Sequence, residues 1–170
     1  EEFFGLDYGL AQYARRVGSG DPANVEAQAA RRYWTLLFAG SDEKFRRANE
    51  DDPRNHLLDY GYGVLRSVVA RALCASGLHP AFGVHHRNAY NPFPLADDVM
   101  EAFRPAVDRM VIGEIRAWEG KSETPFSVTP ERKRTLVSAI TARYWVDGET
   151  RTLLDVIGIA CQRLAAVIAG

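Results

Sequence analysis

A capping residue followed at once by proline is the feature that most constrains how this chain can fold. Three such pairs precede segments with a helical spacing of apolar residues, namely Asp21-Pro22, Asp52-Pro53 and Thr129-Pro130. Asp and Thr side chains accept hydrogen bonds from the free N–H groups of a helix start, and proline suits the first helical position because an N–H there has no helical partner. Since apolar residues recur every three or four positions after each pair, we predict helices over about 22–38, 55–76 and 130–145.

Two more segments keep a helical spacing of apolar residues. One predicts a helix over about 95–111 that Pro105 kinks, and the other predicts a last helix over about 152–168. Gly61 and Gly63 each weaken the helix at 55–76 by about 1 kcal/mol relative to Ala, so we expect a local reason for them, such as a close backbone approach. No segment of strand length alternates apolar and polar residues. The predicted fold class is therefore all-α, a multi-helix bundle.

The composition is typical of a single soluble globular domain over residues 1–170. Hydrophobic residues make up 46% of the 170 positions and charged residues 25%, which is enough apolar material for a buried core. Residues 1 to about 20 are predicted to be a linker or an entry helix, and about 120–128 an internal loop. The chain begins without Met, so we expect a fragment of a longer protein.

Cysteine spacing, hydropathy and charge exclude several classes. Cys74 and Cys161 have no neighbouring cysteine at metal-binding spacing, and both are predicted to be reduced, buried thiols. No apolar run has membrane-spanning length, which predicts a cytoplasmic protein. The net charge of −1 lacks the basic excess of a typical nucleic-acid binder, so any DNA surface must be local.

The stretch from Gly77 to Pro105 places a His pair, His85-His86, a short loop before an acidic cluster. Asp98 and Glu101 are three residues apart, so both carboxylates can reach one ion from the same helix face. Alone, such an acid pair is more often a solvated face, and we expect Asp97 to be solvated; a loop His is more often a packing or hydrogen-bonding residue. Together, one imidazole and two carboxylates suit Mn²⁺ or Mg²⁺ acting on phosphate.

Glu26 is a further acid with an unusual predicted position. It falls at helical spacing with Ala30, Tyr33 and Leu37, so it shares a face with apolar residues and needs a partner there. The chain has no His-Asp dipeptide, no HExxH, no G-x-S-x-G, no P-loop and no dinucleotide-binding glycine pattern. The chain therefore lacks the sequence motifs that mark the corresponding hydrolase and nucleotide-binding classes.

Four ordered segments of the chain, GDPANVEAQAARRYW, NHLLDYGYGVLRSVVARAL, GLHPAFGVHHRN and LADDVMEAFRP, resemble one known family. They are similar to the C-terminal helical domain of the CRISPR-associated spacer-acquisition integrase, the Cas-one endonuclease, in its type II form. The resemblance covers about residues 15–118. It implies an all-α catalytic domain, and it also implies that the family's N-terminal β-rich domain is absent from this chain.

The resemblance implies a metal site built from Glu26, His86 and Glu101, which would bind Mg²⁺ or Mn²⁺ and carry catalysis. His86 matches the second His of the family's G-x-H-H pattern and is preferred to His85 as the ligand. Asp98, with His85 as a neighbour, is expected to orient the site rather than to bind the ion directly. The implied reaction is transesterification that inserts foreign DNA spacers into the CRISPR array.

The same resemblance implies DNA, both prespacer and CRISPR repeat, as the substrate. The candidate DNA contacts are two residues after the ligand His and three on flanking helices, namely Arg87, Asn88, Arg31, Arg66 and Arg71. The implied protein partners are a second copy in the full-length homodimer and the small Cas-two protein. Two alternatives remain open at this point: a non-catalytic helical DNA-binding or assembly module, and a metal-dependent nucleotide phosphohydrolase.

Overall fold

The computed structural model describes residues 9–18, 20–39, 45–84, 90–119, 125–146 and 148–170. Seven α-helices span these residues: α1 (Leu10–Arg16), α2 (Val25–Leu37), α3 (Pro53–Ala75), α4 (Pro94–Met100), α5 (Arg104–Glu119), α6 (Pro130–Thr141) and α7 (Leu153–Ala169). The all-α prediction is confirmed. The chain divides into two compact units, Glu1–Asp51 and Asp52–Gly170. The prediction of a single domain stays a prediction.

A short β-hairpin is the one departure from the all-helical prediction in the part of the chain that the structure describes. Strand β1 (Arg143–Val146) pairs antiparallel with β2 (Glu149–Thr152), and Val146 lies opposite Glu149. Only Asp147 and Gly148 separate the strands, and an Asp-Gly dipeptide is a strong hairpin signal that the helical spacing obscured. The helix predicted to continue to about 145 therefore ends at Thr141.

The capping pairs start helices as predicted in the C-terminal unit. The Asp52 carboxylate accepts from the Arg54 N–H at 2.9 Å, and α3 begins at Pro53. The Thr129 hydroxyl likewise accepts from the first turn of α6. At its other end, α3 stops at Ala75, two residues before Gly77. The φ of Gly77 is 79°, the left-handed conformation that glycine adopts without strain.

In the N-terminal unit, α2 begins at Val25 rather than at the predicted Pro22. Asp21 still caps the helix, because its carboxylate accepts from the N–H groups of Val25 and Glu26 at 2.8 and 2.9 Å. Asp21 and Asn24 have positive φ angles, so the chain makes a turn between the capping residue and the helix. The carboxylate thereby fixes the backbone of Glu26.

Helix α3 is the centre of the C-terminal unit, since α4, α5, α6 and α7 all pack against it. Its fully buried residues include Leu57, Leu58, Leu65, Val69 and Leu73. At Gly61 an added Cβ would lie 2.5 Å from Val107 Cγ1 of α5. The predicted close approach is therefore confirmed at Gly61. At Gly63 it is wrong, because nothing lies within 4 Å of an added Cβ.

The helix predicted over 95–111 is divided by a 3-10 turn at Glu101–Phe103. Pro105 explains the division, because it has no N–H to donate to the carbonyl of Glu101 four residues earlier. That carbonyl instead accepts from the Arg104 N–H in the tighter three-residue bond. Glu101 consequently lies at the junction between α4 and α5.

Cysteine burial follows the prediction at one position only. Cys161 is buried in α7, whereas Cys74 is exposed on α3, so the prediction of a buried thiol is wrong for Cys74. Among the residues placed by the structure, no helix is both long enough and apolar enough to cross a membrane.

Candidate active site

Asp97 is buried, contrary to the prediction that it is solvated. It lies in the first turn of α4 and is 7% exposed. Arg66 of α3 donates from Nε to Asp97 Oδ1 at 2.6 Å and from Nη2 to Oδ2 at 2.7 Å, and Asn91 Nδ2 donates to Oδ2 at 2.6 Å. The carboxylate faces α3 because α4 packs its short length against that helix. A bidentate arginine offsets the cost of burying the charge.

Asp98 is half-buried and faces the segment that precedes the His pair. Its Oδ2 accepts from the Val84 N–H at 2.6 Å. A second backbone bond, from the Leu95 N–H to the Pro80 carbonyl at 2.8 Å, holds the same segment to the start of α4. The polypeptide entering residue 85 is therefore attached to the helix that ends beside Glu101.

Glu101 is accessible, with 46% of its side chain exposed, and its Oε1 lies 2.9 Å from Arg104 Nη2. The Arg104 guanidinium also lies 4.9 Å from the centre of the Tyr62 ring. The Tyr62 hydroxyl in turn donates to the buried carboxylate of Asp108. Arg104 thus balances the charge of Glu101 while resting on an aromatic ring that α3 and α5 hold in place.

Glu26 is exposed on α2, so the prediction that it faces inward is wrong. The helix buries Val25 and Leu37 instead, and the first turn therefore presents its carboxylate to solvent. An exposed carboxylate needs no buried partner. The apolar spacing around Glu26 therefore no longer gives a reason to expect such a partner. Access to an ion is not restricted by burial at this position.

Four predicted site residues, His85, His86, Arg87 and Asn88, lie outside the described residues. Glu26 and Glu101 belong to different compact units. Among the residues that the structure does describe, no three or more His, Cys, Asp or Glu side chains come together as a metal site. The set Glu26, His86 and Glu101 therefore stays a prediction.

The three predicted DNA contacts within the described residues differ in their surroundings. Arg31 is exposed and lines a cleft of about 400 Å³ on the N-terminal unit with Tyr13 and Gln28. Arg71 is exposed on α3. Arg66 is occupied by Asp97, and these hydrogen bonds raise the pKa of its guanidinium above the ordinary value against the effect of burial.

Arg66, Asp97 and Asn91 form one hydrogen-bonded network that the sequence did not predict. Arg66 and Asp97 are 31 residues apart, and helical spacing gives no information on pairs from different helices. Asn91-Pro92 is a turn signal that could have drawn attention to the Asn91 side chain. Nothing in the local sequence indicated its partner.

The sequence model of the family described as CRISPR associated protein Cas1 matches residues 17–142 of the chain. The CRISPR-associated endonuclease Cas1 of Neisseria meningitidis serogroup C is 43% identical over 131 residues, which cover 77% of this chain and 40% of that protein. The endonuclease named Cas1 1 of Francisella tularensis subsp. novicida is 28% identical over 163 residues, which cover 88% of this chain and 49% of that protein.

Two solved structures share the fold. A CAS1 protein from Thermotoga maritima superposes with a TM-score of 0.78 at 21% identity, covering 95% of this chain and 57% of that one. A casposase bound to integration product superposes with a TM-score of 0.71 at 24% identity, covering 87% of this chain and 50% of that one. The chain therefore spans less than two thirds of the length of each of these relatives.

Proposed function

Because the chain belongs to the Cas1 family, we propose that it forms the catalytic helical part of a metal-dependent DNA endonuclease and integrase of CRISPR adaptation. The observation that carries the proposal is the hydrogen bond from the Val84 N–H to Asp98. It attaches Val84, which precedes His85-His86 in the sequence, to the helix that ends at Met100, next to Glu101. The casposase of similar fold, which is bound to an integration product, supports strand transfer on DNA.

The residues present fit a divalent cation of the magnesium or manganese type. Glu26 and Glu101 are exposed carboxylates, and hard oxygen ligands of this kind are preferred by both ions. His86 would add one nitrogen, which manganese accepts more readily than magnesium. When bound, the ion would polarise the scissile phosphate and lower the pKa of the attacking hydroxyl or water.

The proposed reaction joins the 3′-hydroxyl of an incoming prespacer to a phosphodiester of the CRISPR repeat. One phosphorus–oxygen bond forms and another breaks, and the departing strand leaves with its own 3′-hydroxyl. Arg31, Arg71, Arg87 and Asn88 would hold phosphates, so that attacking and leaving oxygens lie in line. A homodimer of the full-length protein and the small Cas-two protein are the proposed partners, which would hold the DNA ends.

The test uses Glu26→Gln, His86→Ala and Glu101→Gln with Glu131→Gln as a matched control, because Glu131 is an exposed acid of α6 that is not among the predicted site residues. Joining of a 3′-hydroxyl oligonucleotide to plasmid DNA and cleavage of branched DNA are measured with Mn²⁺, with Mg²⁺ and after chelation. We expect activity to require the ion and to fall about 100-fold or more in each site variant, with the control unchanged. Full activity in all three would refute the site.

Two further measurements on the same protein distinguish the proposed integrase from the two alternatives. Absence of Mn²⁺ binding by calorimetry in a folded chain would favour a non-catalytic DNA-binding or assembly module. Turnover of mononucleotides in preference to branched DNA would favour a nucleotide phosphohydrolase. Either outcome contradicts the proposed integrase.

A further inference from the structure

The geometry points to Arg66, Asp97 and Asn91 as positioning residues for the His segment, by which we mean residues 85–89 with His85-His86. This inference rests on the proposed function. Asp97 and Asp98 are adjacent, and each accepts a hydrogen bond from a residue on a different side of residues 85–89. Asp98 binds the Val84 N–H before that segment, and Asp97 binds the Asn91 side chain after it. We call these two carboxylates, with Val84 and Asn91, the acid clamp.

The start of α4 is packed in a way that restricts the directions of the two carboxylates of the acid clamp. Leu95 and Ala96, which immediately precede the two acids, are 3% and 0% exposed. Because successive helical residues point about a quarter-turn apart, burial of these neighbours leaves little freedom in the direction of either carboxylate. The Leu95 N–H also binds the Pro80 carbonyl at 2.8 Å, which fixes the approach to Val84.

On the far side of the segment, both ends of the Asn91 amide are used. Nδ2 donates to Asp97 Oδ2 at 2.6 Å, and Oδ1 accepts from the Phe93 N–H at 3.0 Å. The Asp97 N–H donates to the Phe93 carbonyl at 3.0 Å. Asn91 is therefore held against α4 at two points, and the chain that leaves residue 89 has a defined path from Tyr90 onward.

Arg66 completes the arrangement from α3. Its two hydrogen bonds to Asp97 use the planar fork of the guanidinium, which presents both donors to one carboxylate. The Arg66 Cζ lies 6.0 Å from the centre of the Phe93 ring. The sequence alone suggests Arg66 as a DNA contact, and 42% of its side chain is exposed. Its donors nevertheless bind Asp97. Arg66 therefore acts on the site through Asp97 and Asn91.

Hydrogen exchange measured by mass spectrometry on the full chain, without metal or DNA, tests the acid clamp directly. The variants are Asn91→Ala, Arg66→Gln and Arg66→Lys, and the control is Arg71→Gln, an exposed arginine of the same helix. We expect peptides covering residues 84–92 to exchange about 10- to 100-fold faster in Asn91→Ala and Arg66→Gln. Arg66→Lys should restore part of the protection, and Arg71→Gln should match the unmodified chain.

Two further measurements separate positioning from phosphate binding. Titration with Mn²⁺ alone should show affinity about 10-fold weaker in Asn91→Ala and Arg66→Gln. The logarithmic slope of DNA affinity against salt should stay unchanged in Arg66→Gln, whereas loss of one phosphate contact lowers it by about 0.9.

Unchanged exchange in Asn91→Ala, which removes no buried charge and should fold, would overturn the acid clamp. Faster exchange with unchanged Mn²⁺ affinity would overturn its link to the metal site. A reduced salt slope in Arg66→Gln with unchanged exchange would return Arg66 to the phosphate contacts. Hydrogen exchange does not depend on catalysis. Failure of the proposed integrase function would therefore be recognised separately, by full activity of Glu26→Gln, His86→Ala and Glu101→Gln.

Discussion

Replacing Gly61 by Ala adds one methyl group at the contact between α3 and α5. The new Cβ would lie 2.5 Å from Val107 Cγ1, whereas non-bonded carbons are at their best separation at about 3.5–4.0 Å. Val107 is 1% exposed, and a β-branched side chain in a helix has one strongly preferred rotamer. The overlap of roughly 1 Å or more must therefore be relieved by moving the helices apart.

The size of the effect follows from a matched position two residues away. Overpacking a core by a methyl group costs about 1–3 kcal/mol, while replacing a mid-helix Gly by Ala contributes about 0.5–1 kcal/mol of stability. Gly63 lies in the same helix, and its replacement by Ala adds the same methyl group, but nothing lies within 4 Å of the added atom. Gly63→Ala should stabilise the chain by about 0.5–1 kcal/mol, and Gly61→Ala should be about 1–3 kcal/mol less stable than Gly63→Ala.

Urea denaturation followed by far-ultraviolet circular dichroism measures both variants against the unmodified chain. A double variant, Gly61→Ala with Val107→Ala, should be less destabilised than the sum of the two single changes, because each removes the strain or fills the space that the other creates. Since α5 begins directly after the turn that holds Glu101, Gly61→Ala should also weaken Mn²⁺ binding in the proposed site. Equal stability of Gly61→Ala and Gly63→Ala would refute the close contact and the reasoning drawn from it.

Three other outcomes are expected. The Thr152 side chain is the largest influence lowering the pKa of Asp155, so their capping box stabilises α7 at neutral pH and loses this contribution as the pH falls through the lowered pKa. Urea denaturation at several pH values should therefore find Thr152→Ala less stable than Thr152→Ser at neutral pH, with a smaller difference in acid, where the hydroxyl still accepts from the Asp155 N–H. Ellman's reagent should modify exposed Cys74 in the folded chain, but Cys161, whose pKa burial raises, only after unfolding; equal rates would contradict the burial. Arg31→Gln should lower the salt slope of DNA affinity by about 0.9, and an unchanged slope would remove Arg31 from the phosphate contacts.

Local signals predicted the helices well because their causes are local. Asp52-Pro53 and Thr129-Pro130 start helices where predicted, since a side-chain cap and a proline act within one turn. Pro105 was correctly expected to disturb its helix, and the 3-10 turn at Glu101 is the form that the disturbance takes. The hairpin after Thr141 was not predicted, because the helical spacing of the preceding residues obscures the turn signal of Asp147-Gly148.

Charged residues near the candidate site were harder to predict, because their environment depends on packing. Asp97 and Asp98 are neighbours of the same type, yet one is buried against Arg66 and the other faces the Val84 N–H. Glu26 has the apolar spacing of an inward-facing residue but is exposed, because α2 buries Val25 in that turn. Periodicity identifies a helix and its apolar stripe, but it does not identify which polar side chains another helix will cover.

The sequence by itself determined the helical class, most helix starts, the family resemblance and the candidate ligands Glu26, His86 and Glu101. Only the tertiary structure decided that Arg66 is held by a buried Asp97, that Asp98 and Asn91 attach the residues on either side of the His segment to α4, and that Gly61 is needed at a helix contact. The division has a physical reason. Caps, prolines and spacing act over a few residues, whereas ion pairs and close contacts join residues that become neighbours only when the helices pack.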